Sequence, residues 1–418
     1  MTLVEPQNGI RRAPLPGDVS VIAPQGGIPI GALSNELDAR AQAVAAVAAK
    51  NAAAVDRAAR FPNEAIAAAK EQRLMAILIP SELGGDGATI SDAVDVCYVL
   101  GRACGSTALI YAMHQMTVAC LVRHAGDGAW HDRFLRRIGA EQLLLASSTT
   151  EGQGGGDLRK SQCAVERQGS AIALTKSATV VSYGAQADGI VTTARRSPDA
   201  PASDQVLVAF AKDEYRLDHI GGWDTLGMRG TCSAGFDLDA AGKIDQVLPE
   251  PYQKIHAQTG MPVAHLTWSA VWAGVAASAV DRAQAFIRSA ARKSNAQLPP
   301  GAAHLTRATA SLRTLRAIVA SAVRRYEAVC ADSRELDTLE FQTSMNLLKV
   351  TTSELAIATV TGALQASGLA GYRNDGEFSV TRHLRDALSS SVMINNDRIL
   401  ANVANASLLV EVPALLTN

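Results

Sequence analysis

Leu143–Asp188 reads LLLASSTTEGQGGGDLRKSQCAVERQGSAIALTKSATVVSYGAQAD. A hydrophobic run ends in Ser147, Ser148, Thr149 and Thr150, and Gly152-Gln153-Gly154-Gly155-Gly156 follows at once. Small hydroxyls and bare backbone amides therefore emerge together at a strand end. Such an arrangement suits a flat ligand with a polar edge. It is also ordinary turn chemistry on a surface sheet, and these residues alone leave both open.

Outward from this stretch the chain changes character on both sides. Residues 1–33 are rich in Pro and Gly without a period and read as a flexible tail. From Ser34 the segment NELDARAQAVAAVAAKNAAAVDRAARF is Ala-rich with dispersed charges, and Ser34 or Asn35 is placed to cap a first turn carrying Glu36 and Asp38. Further helices are expected over 62–74, 91–105, 107–124 and 131–143, giving an all-helical domain over 34–143. Over 144–248 short runs such as AIALT, GIVTTAR and DQVLVAFA alternate or carry β-branched residues between Gly, Asp and Pro turns, which predicts a β domain. Four helix-length segments then follow, at about 262–293, 302–332, 335–369 and 379–411, within a C-terminal bundle domain over 249–418. The fold class is thus α+β and mostly α: a helical domain, a central β-barrel-like or sandwich domain, and a four-helix bundle.

With 418 residues there is ample surface to bury, so folding requires neither disulfides nor metal. A formal net charge of -1 argues against nucleic acid or an anionic membrane as the main partner, because both would favour a basic face. The six cysteines form no CxxC pair, so no metal site is expected. No apolar leader segment and no membrane-length apolar stretch are read, and a cytoplasmic, reducing compartment is the expectation.

The order helical domain, β domain, helical bundle resembles the acyl-CoA dehydrogenase superfamily from about Ser34 to Leu409. The family's Thr-Glu-Pro followed by Gly-x-Gly-Ser-Asp is matched in part by Thr150-Glu151-Gly152 and Gly155-Gly156-Asp157. Its Trp-Ile-Thr-Asn-Gly strand corresponds to Val180-Val181-Ser182-Tyr183-Gly184, and its Leu-Gly-x-Arg-Gly-Thr turn to the segment around Arg229. The resemblance implies a flavin, FAD, or FMN in a monooxygenase. Thr149, Thr150, Gly155, Gly156, Val180 and Ser182 would lie at its ring, with Ser182 toward N5. Arg229 is expected to brace the β domain. Arg292 stands in the segment that meets the FAD pyrophosphate from across a subunit boundary, and Gln365 with Gly368 in the segment that closes over a neighbour's dinucleotide. Asn396 is a further expected cofactor contact, and a homodimer or homotetramer is implied.

The tail of the family reads Arg-Asp-Ala, six residues, then the Glu that removes the substrate α-proton. Arg385-Asp386-Ala387 is present, and Ile394 falls where the Glu is expected. The nearest carboxylate, Asp397, lies about one helical turn on and is the candidate base. His114, in an apolar helix, is a candidate pocket residue, set against the commoner role of a satisfied core histidine. The leading reading is α,β-dehydrogenation of an acyl thioester on CoA or a carrier protein, with an electron-accepting flavoprotein as partner. The alternative is a monooxygenase supplied with reduced flavin by a reductase, and a third reading is a flavin-binding member without catalysis.

Overall fold

The structure, a computed structural model, describes residues 33–152, 160–295, 297–412 and 414. From Leu33 onward the chain forms one compact unit. Five helices open it: α1 (Asn35–Ala58), α2 (Asn63–Glu71), α3 (Ile90–Ala103), α4 (Gly105–His124) and α5 (Ala129–Glu141). Ser34 caps α1 as expected, its hydroxyl accepting the Leu37 amide at 3.2 Å. Helix α4 is buried on nearly every face, in keeping with its lack of an amphipathic period.

Among the described residues, seven strands follow in two sheets. Strands β1 (Leu145–Ser148), β4 (Gly189–Arg195) and β5 (Gln205–Ala211) form one, with β1 and β4 parallel. Strands β2 (Glu166–Gln168), β3 (Ala171–Ala178), β7 (Gly235–Lys243) and β6 (Tyr215–Gly221) form the other, in that order and antiparallel throughout. In β3, formed by the AIALT run expected to be β, burial alternates strictly, with Ile172, Leu174, Lys176 and Ala178 inward.

The C-terminal region comprises α6 (Tyr252–Ile255), a π-helical turn (His256–Gly260), α7 (Met261–Lys293), α8 (Ala302–Val329), α9 (Ser333–Leu336), α10 (Leu339–Tyr372), α11 (Thr381–Val392) and α12 (Asn396–Ala404). Helix α7 is the hub. Its Gly274 faces α3, where an added Cβ would sit 2.4 Å from the Tyr98 carbonyl; only paired glycines, here with Gly101, permit so close a crossing. The fourth expected bundle segment is broken. Met393–Asn395 separates α11 from α12, and Ile394 adopts φ 49°.

Among the described residues, three helical spans, Gly105–His124, Tyr252–Lys293 and Leu339–Tyr372, are long and apolar enough to cross a membrane by length and composition. The first two are packed inside the protein, with 89% and 94% of their apolar windows buried, whereas the third is 50% buried and leaves a long face of α10 uncovered.

Candidate functional site

The threonines at the end of β1 are fixed from beneath. Lys176, on the inward face of β3 and 1% exposed, donates to the Ser148 carbonyl at 2.9 Å and to the carbonyl and hydroxyl of Thr193, each at 2.8 Å. The Glu151 carboxylate lies 3.6 Å away and also accepts the Gln162 amide at 2.7 Å and the Ser161 hydroxyl. Burial pushes the Lys176 ammonium down to about 8, with the Glu151 charge opposing that shift. The chain on both sides of Thr149 and Thr150 is thereby held, and the two threonines remain partly exposed.

Thr150 Oγ1 donates to the Val180 carbonyl at 3.2 Å, which joins the two segments expected at the flavin edge. Val180 is 42% exposed beside it. Ser182 shares a 2.8 Å hydrogen bond with Ser233, Ser233 shares another of 2.8 Å with Thr231, and Thr231 Oγ1 donates to the Met228 carbonyl at 2.9 Å. Gly155 and Gly156 lie outside the described residues.

Ile394 occupies the break between α11 and α12, where its left-handed backbone is costly for a β-branched residue. Lys349, fully buried on α10, donates to the Ile394 carbonyl at 2.6 Å and to Asn396 Oδ1 at 2.7 Å. The Asn396 amide in turn donates to Ser353 Oγ at 2.9 Å, so this side chain is spent on α10 rather than offered to a cofactor. The Lys349 ammonium also sits 5.8 Å from the Trp272 ring centroid, and burial pushes it down to about 8. Trp272 and Trp268, one turn apart on α7, bury indole N–H groups that have no partner among the described residues.

Two expected catalytic residues are displaced by this geometry. Asp397 is exposed in the first turn of α12, where a carboxylate complements the helix dipole, and its amide is capped by Asn395 Oδ1 at 2.8 Å. His114 is fully buried; its Nδ1 accepts the Leu145 amide at 3.0 Å, so Nε2 carries the proton and donates to the Met75 carbonyl at 2.7 Å. Both ring nitrogens are therefore committed to backbone, and the ring ties α4 to β1. Burial holds it neutral, down to about 4.

The residues expected to reach the cofactor's dinucleotide lie on the bundle surface. Arg292 is exposed in the last turn of α7, its Nε on the Arg288 carbonyl at 3.3 Å. Gln365 is exposed on α10 in a groove shared with His304 and Arg307 of α8, and Gly368 kinks α10 at φ 53°, ψ −137°.

The β6–β7 loop locks onto the tail. Met228 N donates to Asp386 Oδ1 at 2.8 Å, and Arg385 pairs with Asp56 of α1 through a 2.8 Å contact while donating to the Leu226 carbonyl at 2.9 Å. An added Cβ at Gly227 would lie 2.1 Å from the Arg385 carbonyl, so only glycine fits there. Arg229 braces as anticipated, donating to the carbonyls of Asp56 and Thr225 at 2.9 and 2.8 Å.

Residues 35–142 match the acyl-CoA dehydrogenase N-terminal domain and residues 256–409 the acyl-CoA dehydrogenase C-terminal domain. The chain belongs to the acyl-CoA dehydrogenase superfamily. Among relatives of this superfamily, it is 26% identical over 363 residues to cyclohex-1-ene-1-carbonyl-CoA dehydrogenase of Geobacter metallireducens, covering 85% of this chain and 92% of that one. It is 28% identical over 330 residues to L-evernosamine nitrososynthase of Micromonospora sp., covering 76% of each. The acyl-CoA dehydrogenase fold also appears in FMN-bound TdsC of Paenibacillus sp. A11-2, with a TM-score of 0.79 at 20% identity over 90% of this chain and 98% of that one.

Sequence reasoning passed over Lys349, Lys176 and Ser233. A lone lysine within NLLKVTTSEL has the composition of a solvated position, and its flanking Leu348 and Val350, both buried, were the available signal. Ser233 lies two residues beyond the quoted turn motif.

Proposed function

We propose that this acyl-CoA dehydrogenase superfamily member is a flavin-dependent monooxygenase, using reduced FMN or FAD from a separate flavin reductase together with dioxygen. The observation that carries the reading is Ile394. At the position where the family resemblance puts the proton-abstracting carboxylate stands an apolar side chain whose carbonyl is held by the buried Lys349 ammonium at 2.6 Å, and Asp397 is turned out to solvent as a helix-terminal residue. α-Proton abstraction needs a base in reach of the substrate. Oxygen transfer instead needs a dry pocket with hydrogen-bond donors.

The polar groups at this strand end suit the edge of a flavin ring, with Thr150 Oγ1, its hydrogen given to the Val180 carbonyl, left to accept. Thr149 and Thr150 offer hydroxyls at a braced strand end, Val180 offers an exposed apolar face beside them, and Ser182 offers a hydroxyl on the adjoining segment. Reduced flavin, when bound, supplies the two electrons that divide dioxygen between product and water. For the chain's part, Lys176 and Glu151 hold the strand end and Lys349 holds the 394–396 backbone. Trp268 and Trp272 contribute unpartnered indole donors within the bundle. A homodimer or homotetramer, assembled through the uncovered face of α10, would bring Arg292, Gln365 and Gly368 of one copy toward the dinucleotide of another. Six free cysteines favour a reducing, cytoplasmic setting.

Acyl thioester dehydrogenation is the second reading, favoured by relatives such as the probable acyl-CoA dehydrogenase of Mycobacterium leprae, 27% identical over 387 residues. One experiment separates the two. The purified protein is incubated with NADH, a flavin reductase, FMN and a panel of aromatic and amine substrates, with and without oxygen, and separately with acyl-CoA thioesters anaerobically. Oxygen-dependent product with no bleaching of bound flavin by any thioester supports the monooxygenase. Anaerobic bleaching by a thioester overturns it.

A further inference from the structure

We infer that the junction of α7, α10 and the α11–α12 break receives a carboxylate group of the substrate, held by the Lys349 ammonium and the indole N–H groups of Trp268 and Trp272. His265 Nδ1 meets the Met345 carbonyl at 2.9 Å and Ser269 Oγ meets Thr352 Oγ1 at 2.7 Å, so this face of α7 is turned toward α10. Trp268 and Trp272 each follow one of those α7 residues by three positions and share that side of the helix. The Trp268 ring centroid lies 6.0 Å from that of His265, and the Trp272 centroid lies 5.8 Å from Lys349 Nζ.

This cluster is rich in donors and short of acceptors. Trp268 is 5% exposed and Trp272 fully buried, and an indole N–H is able only to donate. Neither indole has an acceptor among the described residues, and a buried donor left unmatched is costly. Of the three Lys349 hydrogens, two go to the Ile394 carbonyl at 2.6 Å and to Asn396 Oδ1 at 2.7 Å, both uncharged oxygens. No carboxylate pairs with this ammonium among the described residues; burial shifts it down to about 8 with no acid opposing the shift. His265 adds no charge. Its Nδ1 donates to a carbonyl, and burial, joined by the Lys349 charge, pushes the ring down to about 3.

One uncompensated positive charge with unmatched N–H donors beside it calls for a singly charged, acceptor-only group. A carboxylate is that group: its two oxygens carry enough lone pairs for the ammonium and both indoles. A phosphate monoester would bring close to two negative charges against one. Position 394 agrees with this choice. A glutamate there would repel a second carboxylate placed beside it, and Ile394 does not. The inference rests on the monooxygenase reading only for calling the bound acid a substrate, and it gives that substrate a class, a small carboxylic acid. A simple acyl thioester presents no such charge.

The test is isothermal titration of the purified protein with benzoate and with benzamide, which share a shape and differ in charge. The wild type is expected to bind benzoate on the order of tenfold or more tightly than benzamide, the ratio that one charge-assisted hydrogen bond gives. In Lys349→Met the ratio should fall to about one. Trp272→Phe keeps both Lys349 contacts and an aromatic ring while removing one donor, and it should weaken benzoate about tenfold with benzamide little changed. This second variant guards against a Lys349 variant that misfolds. Equal binding of the two probes by the wild type, binding of neither, or a ratio unmoved in both variants overturns the inference. No reductase, reductant or oxygen enters these titrations, so such a failure leaves the monooxygenase reading to its own assay. Absence of oxygen-dependent product there, with the benzoate preference intact, removes that reading and leaves the carboxylate site standing.

Discussion

Lys349 Nζ donates to the Ile394 carbonyl over 2.6 Å, which fastens the break between α11 and α12 to the middle of α10. The same ammonium takes Asn396 Oδ1 at 2.7 Å, so one side chain holds both ends of the turn. Replacing it with methionine keeps the bulk and abandons both acceptors. Lys349→Met is expected to lower stability by about 1–3 kcal/mol in urea titrations. The pH dependence has a defined sign: the native amine titrates near 8 and the unfolded one at 10.5, so the unfolded chain binds more protons between those values. Wild-type stability should therefore gain on that of the variant as pH rises from 8 to 10.5. A difference constant across that range would mean the ammonium is not held where the structure has it.

Asp386 offers a second, oppositely placed titration. Desolvation pushes its carboxyl up to about 6, with the Met228 amide and the nearby Arg382 and Arg385 opposing the shift. Between 3.8 and about 6 the native state binds more protons than the unfolded one, so this group's contribution falls as pH rises through that window. Asp386→Asn retains an oxygen for Met228 N and removes the charge. The variant should be at least as stable as the wild type at pH 7, and its urea midpoint should change less between pH 4 and 7. A large loss at pH 7 would show that the charge itself holds the latch.

His114→Phe strips a hydrogen-bond partner from the Met75 carbonyl and the Leu145 amide, both in the core. A loss of about 2–4 kcal/mol is expected, with turnover per folded molecule unchanged. Turnover abolished in a variant of wild-type stability would return His114 to the pocket.

Val180→Trp places an aromatic ring at a position 42% exposed beside Thr150. Stacking on a flat ring system adds about 0.5–1.5 kcal/mol, so flavin should bind about two- to tenfold more tightly by fluorescence titration. No change in affinity would separate Val180 from the flavin ring.

The sequence by itself determined what short-range patterning encodes. Ser34 and its acidic first turn announced α1, the alternation around Ile172 and Leu174 announced β3, and the order of helical, β and helical regions announced the superfamily, because periodicity and caps are written within a few residues of the element they form. Arg229 was legible as a brace from its motif. Tertiary structure alone decided which polar side chains would be buried and toward what. Lys349 and Ile394 are 45 residues apart, Ser182 and Ser233 are 51, and Met228 and Asp386 are 158. Nothing local in LLKV marks a buried cation, and nothing in VVSY names the distant hydroxyl that Ser182 meets. Burial removes water as the alternative partner, and only then does the distant acceptor become the one that counts.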